Sequence, residues 1–370
     1  MLTSAPPDLA LAALFHPFET GQLAWPESGD VLLMGARAGM PLREHRRDGL
    51  VFEQSFKPSH DAVLQAGLVQ ADPDAADYAM ILLLPPRQKD YARAQYVRAL
   101  ERLRPGGVLV LAQANADGAK SCQADLQRLV GPLTILSKHK SRVMWTAAGP
   151  SVDAEQSKLW LQADEPREIV GGRFSSRPGV FAWDRVDPAS QLLAEHLPAD
   201  LSGRAADLGA GYGYLTSELL ARCAAVTAVD LYEADSRALA LARQNLTEAG
   251  QSRPLAFHWH DVSAGLAEQY DCIVSNPPFH AHQGQSRPDI GRQFLLSAAE
   301  ALAPGGRLWF VANRHLPYEE CLSEGFSEVR HVVQSGAYKV IEARRSAPGE
   351  RVRGVPSAPG SLRDLKRRRQ

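Results

Sequence analysis

Three strand-and-turn motifs occur twice in this chain, in the same order, and no other feature restricts its fold as much. Val31-Leu-Leu-Met-Gly-Ala-Arg-Ala-Gly39 is echoed by Asp207-Leu-Gly-Ala-Gly-Tyr-Gly213. Tyr78-Ala-Met-Ile-Leu-Leu-Leu-Pro-Pro86 is echoed by Tyr270-Asp-Cys-Ile-Val-Ser-Asn-Pro-Pro278. Leu103-Arg-Pro-Gly-Gly-Val-Leu-Val-Leu111 is echoed by Leu302-Ala-Pro-Gly-Gly-Arg-Leu-Trp-Phe310. Each is a short apolar run bounded by glycine or proline, the mark of a buried strand meeting a loop. A chain of 370 residues is also long for one core. Two tandem α/β domains follow, either by duplication or as unrelated domains sharing turn chemistry.

The second half sets the pattern for both. Ala205–Leu208, Ala225–Val229, Leu255–Trp259, Cys272–Ser275 and Arg307–Ala312 read as strands separated by helical stretches. Ser327–Val333 and Tyr338–Ala343 read as a closing antiparallel pair. Such alternation predicts a Rossmann-like, doubly wound sheet of seven mostly parallel strands. The first half departs where chemistry would occur: Arg37 replaces Gly211 and Leu84 replaces Asn276. Its short span from glycine turn to Pro85 leaves little room for a strand carrying an acid. We expect residues 1–150 to be a degenerate domain for scaffolding or recognition, 151–170 a connector and 171–345 the catalytic domain. Residues 346–370 are rich in Pro, Gly, Ser and Arg and end Lys366-Arg-Arg-Arg-Gln370. That composition predicts a disordered basic tail, either contacting nucleic acid or merely solvated.

No apolar run is long enough to span a membrane, and the first residues lack a signal-peptide pattern. Cys122, Cys223, Cys272 and Cys321 are scattered and form no Cys-x-x-Cys pair, which favours a reducing cytoplasm and argues against zinc. His258, His260, His280 and His282 fall on two different loops with no metal-binding motif between them, so no metal is expected.

Asp207–Gly213 follows a strand and precedes a helix whose first N–H groups are free. Glycine lets that turn be tight and lets a ligand approach. A nicotinamide dinucleotide site needs Gly or Ala at position 214, where this chain has Tyr214. The Gly-x-Gly-x-Gly pattern, with Asp207 before it, instead resembles the S-adenosylmethionine loop of class I methyltransferases. There Gly209, Gly211 and Gly213 form the turn, and Asp207 can engage the methionine amine. Asp230 closes the next strand about twenty residues on, where an acid binds ribose hydroxyls. Asp261 and Val262 follow the third strand and, by their place in the motif order, are expected beside the adenine, although an Asp at a strand end is by itself more often a helix cap.

Asn276-Pro277-Pro278-Phe279 ends the fourth strand, where doubly wound sheets place ligands. An exocyclic amine is a poor nucleophile because its lone pair is delocalised into the ring. The Asn276 amide oxygen and the Pro277 carbonyl can accept its N–H protons. The prolines stiffen the loop, and Phe279 offers a face for an extruded base, worth roughly 1–3 kcal/mol. His280 is expected to line the substrate loop.

Pro178-Gly-Val-Phe-Ala-Trp-Asp-Arg-Val-Asp-Pro-Ala-Ser190, Asp207–Gly213, Asn276-Pro-Pro-Phe-His280, Val311-Ala-Asn-Arg-His-Leu-Pro-Tyr318 and Ser335-Gly-Ala-Tyr-Lys-Val340 together resemble the ribosomal RNA small subunit methyltransferase C family. The resemblance covers about 173–345 well and the first half only in plan. It implies methylation of guanosine N2 in 16S rRNA, within the small subunit or its precursor, by a monomeric cytoplasmic enzyme using S-adenosylmethionine. It places Phe181 and Asp187 in a segment covering the cofactor, with Gly209, Gly211, Asp230 and Asp261 binding it and Asn276 and Phe279 holding guanine. A related family methylates guanine N2 in 23S rRNA and shares Asn-Pro-Pro-Phe. A non-catalytic, RNA-binding assembly factor would leave that loop idle. The arginine-rich tail is not part of the family pattern.

Overall fold

The computed structural model describes residues 8–278, 288–316, 318, 322 and 326–347. Phe279, His280 and residues 348–370 of the tail lie outside the described residues. Two compact units are present: Met1–Asp184 with Asp235–Arg237, and Arg185–Ala234 with Ala238–Gln370. The first unit thus takes in the turns through Asp184, which the sequence reading gave to the second domain.

The first unit contains strands β1 (Val31–Met34), β2 (Leu50–Glu53), β3 (Val69–Gln70), β4 (Tyr78–Leu83), β5 (Leu103–Ala114), β6 (Thr134–Lys138) and β7 (Ser141–Trp145). They form one sheet in the order β3-β2-β1-β4-β5-β7-β6. Helices α1 (Leu9–Glu19), α2 (Met40–Glu44), α3 (Lys57–Gln65), α4 (Lys89–Glu101), α5 (Ala119–Val130) and α6 (Ala154–Ala163) alternate with them. A hairpin of β8 (Arg167–Ile169) and β9 (Phe174–Ser176) follows.

The next strands are β10 (Ser202–Leu208), β11 (Ala225–Glu233), β12 (Leu255–Trp259), β13 (Tyr270–Ser275), β14 (Leu302–Asn313), β15 (Phe326–Ser335) and β16 (Tyr338–Arg345). Their order, β12-β11-β10-β13-β14-β16-β15, repeats that of the first sheet position for position. All pairings are parallel except those made by β16 with β14 and β15. Helices α7 (Pro188–His196), α8 (Tyr214–Arg222), α9 (Ser236–Asn245), α10 (Thr247–Ser252) and α11 (Pro288–Ala301) connect them.

Alternation along each strand divides the core between two faces. Leu308, Phe310 and Ala312 join Ile273 on one side, while Trp309 and Val311 join Val274 on the other. Both faces are buried, which is why these strands read as continuous apolar runs. The same division holds in the first sheet, with Met80 and Leu82 on one face and Ile81 and Leu83 on the other.

One expectation about the first half is overturned. The short span does hold a second strand, β2, parallel to β1 and ending in Glu53. Helix α3 and the two-residue β3 then return the chain to β4 with little loop, so fewer residues suffice.

Candidate active site

The C-terminal ends of β10, β11 and β13 meet at one end of the second sheet. Gly209 and Gly211 have φ of 77° and 55°, a region that costs an L-residue strain. A Cβ on Gly211 would meet nothing within 4 Å, so the turn has open space where a ligand can approach. Gly213, also at positive φ, serves packing: a Cβ there would lie 3.0 Å from Leu246. The backbone N–H groups of Gly209 and Ala210 donate to the Tyr232 carbonyl and hold the turn against β11.

Asp207 is fully buried beneath this turn. Its Oδ2 accepts a 2.7 Å hydrogen bond from the Thr216 hydroxyl, while its buried Oδ1 has no partner among the described residues. Burial pushes its pKa up to about 7, against the lowering effect of Thr216, with Glu233 raising it further.

The strand expected to close at Asp230 runs on to Glu233. Asp230 sits three residues earlier in β11. Its Oδ2 takes hydrogen bonds from Arg204 at 2.6 Å and Tyr270 at 2.7 Å, both near the beginnings of their strands. Leu231 and Tyr232 are buried and continue the strand past the first acid. It is Glu233 that reaches the glycine turn, with Oε2 accepting from the Gly211 N–H at 2.8 Å. The usable signal was the apolar pair Leu231-Tyr232, which extends the strand beyond Asp230.

Asp261 caps the short 3-10 turn Val262–Ala264, its Oδ1 accepting from Ser263 N at 2.9 Å and Ser263 Oγ at 2.5 Å. Val262 is buried and packs into the core beside Leu208 and Tyr232. Phe181 lies in the first unit and is 67% exposed, next to Ala182 at φ 49°.

Asn276 follows β13, tied to the glycine strand by a 2.7 Å hydrogen bond from Ser275 Oγ to the Leu208 carbonyl. Pro277 is buried and Pro278 exposed. The Asn276 Nδ2 donates to Asp187 Oδ2 at 2.9 Å and to Ser190 Oγ at 2.8 Å. A carboxylate only accepts, so the NH₂ group must face Asp187, and Oδ1 is left as the side chain's acceptor. Ser190, Thr216 and Glu233 escaped the sequence reading; the structure joins them to Asp187, Asp207, Gly211 and Asn276.

Among the described residues no group of three or more His, Cys, Asp or Glu could hold a metal ion. His258 stacks on Tyr232 at 4.5 Å, and His260 Nε2 lies 2.7 Å from the Gly265 carbonyl oxygen. No helix among the described residues is long and apolar enough to cross a membrane.

Residues 171–342 match the family model of the methyltransferase small domain. A ribosomal RNA small subunit methyltransferase C of Shewanella pealeana is 31% identical over 264 residues, covering 70% of this chain and 75% of the relative. The chain belongs to the ribosomal RNA small subunit methyltransferase C family. A second member, from Sodalis glossinidius, is 31% identical over 273 residues, 73% of this chain and 75% of its own. A solved family structure, the T. thermophilus 16S rRNA N2 G1207 methyltransferase in complex with AdoMet and guanosine, superposes with a TM-score of 0.72. That match has 26% identity and covers 91% of this chain and 92% of the other. The expected architecture of two tandem methyltransferase-like α/β domains is the family's own.

Proposed function

We propose that this chain transfers a methyl group from S-adenosylmethionine to the exocyclic N2 amine of a guanosine in 16S ribosomal RNA. The observation that carries this reading is the orientation of Asn276, whose NH₂ is taken by Asp187 and Ser190. Its amide oxygen is thereby kept for a proton-bearing nitrogen.

The residues present fit the cofactor. The unpartnered Oδ1 of Asp207 suits an ammonium group, and the open turn at Gly211 suits close approach of a ligand to backbone. We assign Glu233 to the ribose hydroxyls, the role the sequence suggested for Asp230, because Glu233 ends the strand beside the turn. Gly209, Gly211 and Gly213 shape the turn, and Asp261 and Val262 flank the adenine. When bound, S-adenosylmethionine supplies an electrophilic methyl on its sulfonium.

Asn276 Oδ1 and the Pro277 carbonyl accept from the substrate amine, drawing the nitrogen lone pair out of conjugation as the N–C bond forms at the expense of the methyl–sulfur bond; the neutral thioether is the leaving group and the surplus N–H proton passes to solvent. Fixed dipoles of this kind act without reorganisation, and holding the amine in line contributes much of the acceleration. Phe279 and His280 are assigned to hold the extruded guanine, since base chemistry cannot proceed inside a stacked duplex.

We assign 1–150 to a degenerate domain that supports RNA recognition, 151–170 to a connector, 171–345 to catalysis and the basic 346–370 tail to non-specific RNA contact. The enzyme acts as a cytoplasmic monomer on the small subunit or its precursor. The test is mass-spectrometric mapping of N2-methylguanosine after incubation with unmodified 16S and 23S RNA separately. Modification of 23S RNA alone overturns the substrate, and no methyl incorporation favours an assembly factor.

A further inference from the structure

We propose that Asp187 and Ser190 are positioning residues that lock the carboxamide of Asn276, so that the N-terminus of α7 sets the direction of the catalytic acceptor. The inference rests on the function proposed above and adds to it how the acceptor is aimed. An asparagine amide has two orientations of nearly equal shape, differing by exchange of oxygen and nitrogen. Only one presents an acceptor to an amine; the other sets N–H against N–H. The chain removes this ambiguity with two acceptors, Asp187 Oδ2 at 2.9 Å and Ser190 Oγ at 2.8 Å from Nδ2, one for each hydrogen of the NH₂ group.

The acceptors are themselves fixed. Asp187 is the N-cap of α7, and its Oδ2 also takes the Ser190 N–H at 2.8 Å. Pro188 begins the helix with its φ already set, and Ala189, Leu193 and Ala194 bury it in the core formed on that face of the sheet. The helix therefore carries both acceptors as one rigid piece. The resemblance gave Asp187 a place near the cofactor; the hydrogen bonds give it a place behind Asn276.

Steady-state kinetics and cofactor calorimetry on the full chain test this with Asp187→Asn, Ser190→Ala, Asn276→Ala and the two double variants. Asp187→Asn retains a capping side chain, and Ser190→Ala removes only a hydroxyl. Each is expected to lower kcat roughly 10-fold through misaimed geometry. RNA KM and the cofactor dissociation constant should stay within about twofold, since ground-state binding is untouched. In the Asn276→Ala background neither change should lower turnover further, because residues acting through one group are not additive. Unchanged kcat in both single variants, full additivity with Asn276→Ala, or cofactor affinity falling in step with kcat would each overturn the proposal. A purely structural role would lower Tm and leave the coupling at zero. Near-normal turnover of Asn276→Ala would instead overturn the catalytic reading, and the inference with it.

Discussion

Asp230 and Glu233 share one strand but not one environment, and that difference can be measured. Asp230 is buried among Arg204 and Tyr270, with Tyr270 in turn 2.6 Å from the Tyr232 hydroxyl. Asp230→Ala should cost about 1.5–3 kcal/mol of stability, as for lost charged hydrogen bonds, with cofactor affinity unchanged in the folded variant. Glu233→Ala should do the opposite, weakening S-adenosylmethionine binding by about 1.5–3 kcal/mol with little change in Tm. Calorimetry and thermal melts on both variants decide, and a reversed pattern would restore Asp230 to the ribose. Asp207 adds a pH dependence. Its carboxyl is held near 7 by burial, so between about 4 and 7 the folded chain keeps a proton that the unfolded chain has released. Stability of the free enzyme should therefore fall as pH rises through that window. An ammonium beside Oδ1 favours the carboxylate, so cofactor binding at pH 6 should release a proton and tighten toward pH 7. Calorimetry in two buffers of different ionisation enthalpy reads this directly. Equal apparent heats, or release surviving in Asp207→Asn, would refute it.

At the scale of elements, turns decide more than strands. The β6–β7 hairpin turns through His139 and Lys140 at φ of 52° and 54°, and Lys138, His139 and Lys140 are exposed at its tip. Positive charge on so short a projection suits a phosphate backbone. Replacing Lys138 and Lys140 with Ala should weaken RNA binding without changing which guanosine is modified, and should reduce the salt slope by about 1.4–1.8. An unchanged slope would remove the hairpin from the interface. The strands themselves were legible because both faces are buried and the residues are apolar throughout. Their ends were not, since an acid can terminate a strand or sit inside it, and only the partners across the sheet separate Asp230 from Glu233. Strand β14 likewise begins at Leu302 and runs through Pro304-Gly305-Gly306, which the sequence suggested as a boundary.

For the whole molecule, the two sheets share one strand order, yet the first carries different residues around its glycine turn. The N–H groups of Gly35 and Ala36 donate to the Glu53 carbonyl, as those of Gly209 and Ala210 do to Tyr232, so Gln54 takes the place of Glu233. Gln54 Nε2 donates to the Ala36 carbonyl at 2.8 Å, and Arg37 is paired with Asp8 at 3.0 Å. Glu53 is held by Arg102 at 2.7 Å. Titration should give one S-adenosylmethionine per chain, and Glu233→Ala should weaken that one site without exposing another. Two sites would contradict the degeneration.

By itself the sequence determined the two-domain α/β plan, the glycine turn, the Asn276 loop and the residues that replace them in the first copy. Those are local properties: apolar periodicity, glycine where φ is positive, proline where the chain must stiffen. Only the tertiary structure decided which acid meets the glycine turn, that Asp261 is a cap, that the first half holds a full second strand, and that α7 aims Asn276. Each of these depends on partners distant in sequence. A hydrogen bond such as that from Asn276 to Asp187 exists only once β13 and the start of α7 have been folded to the same end of the sheet.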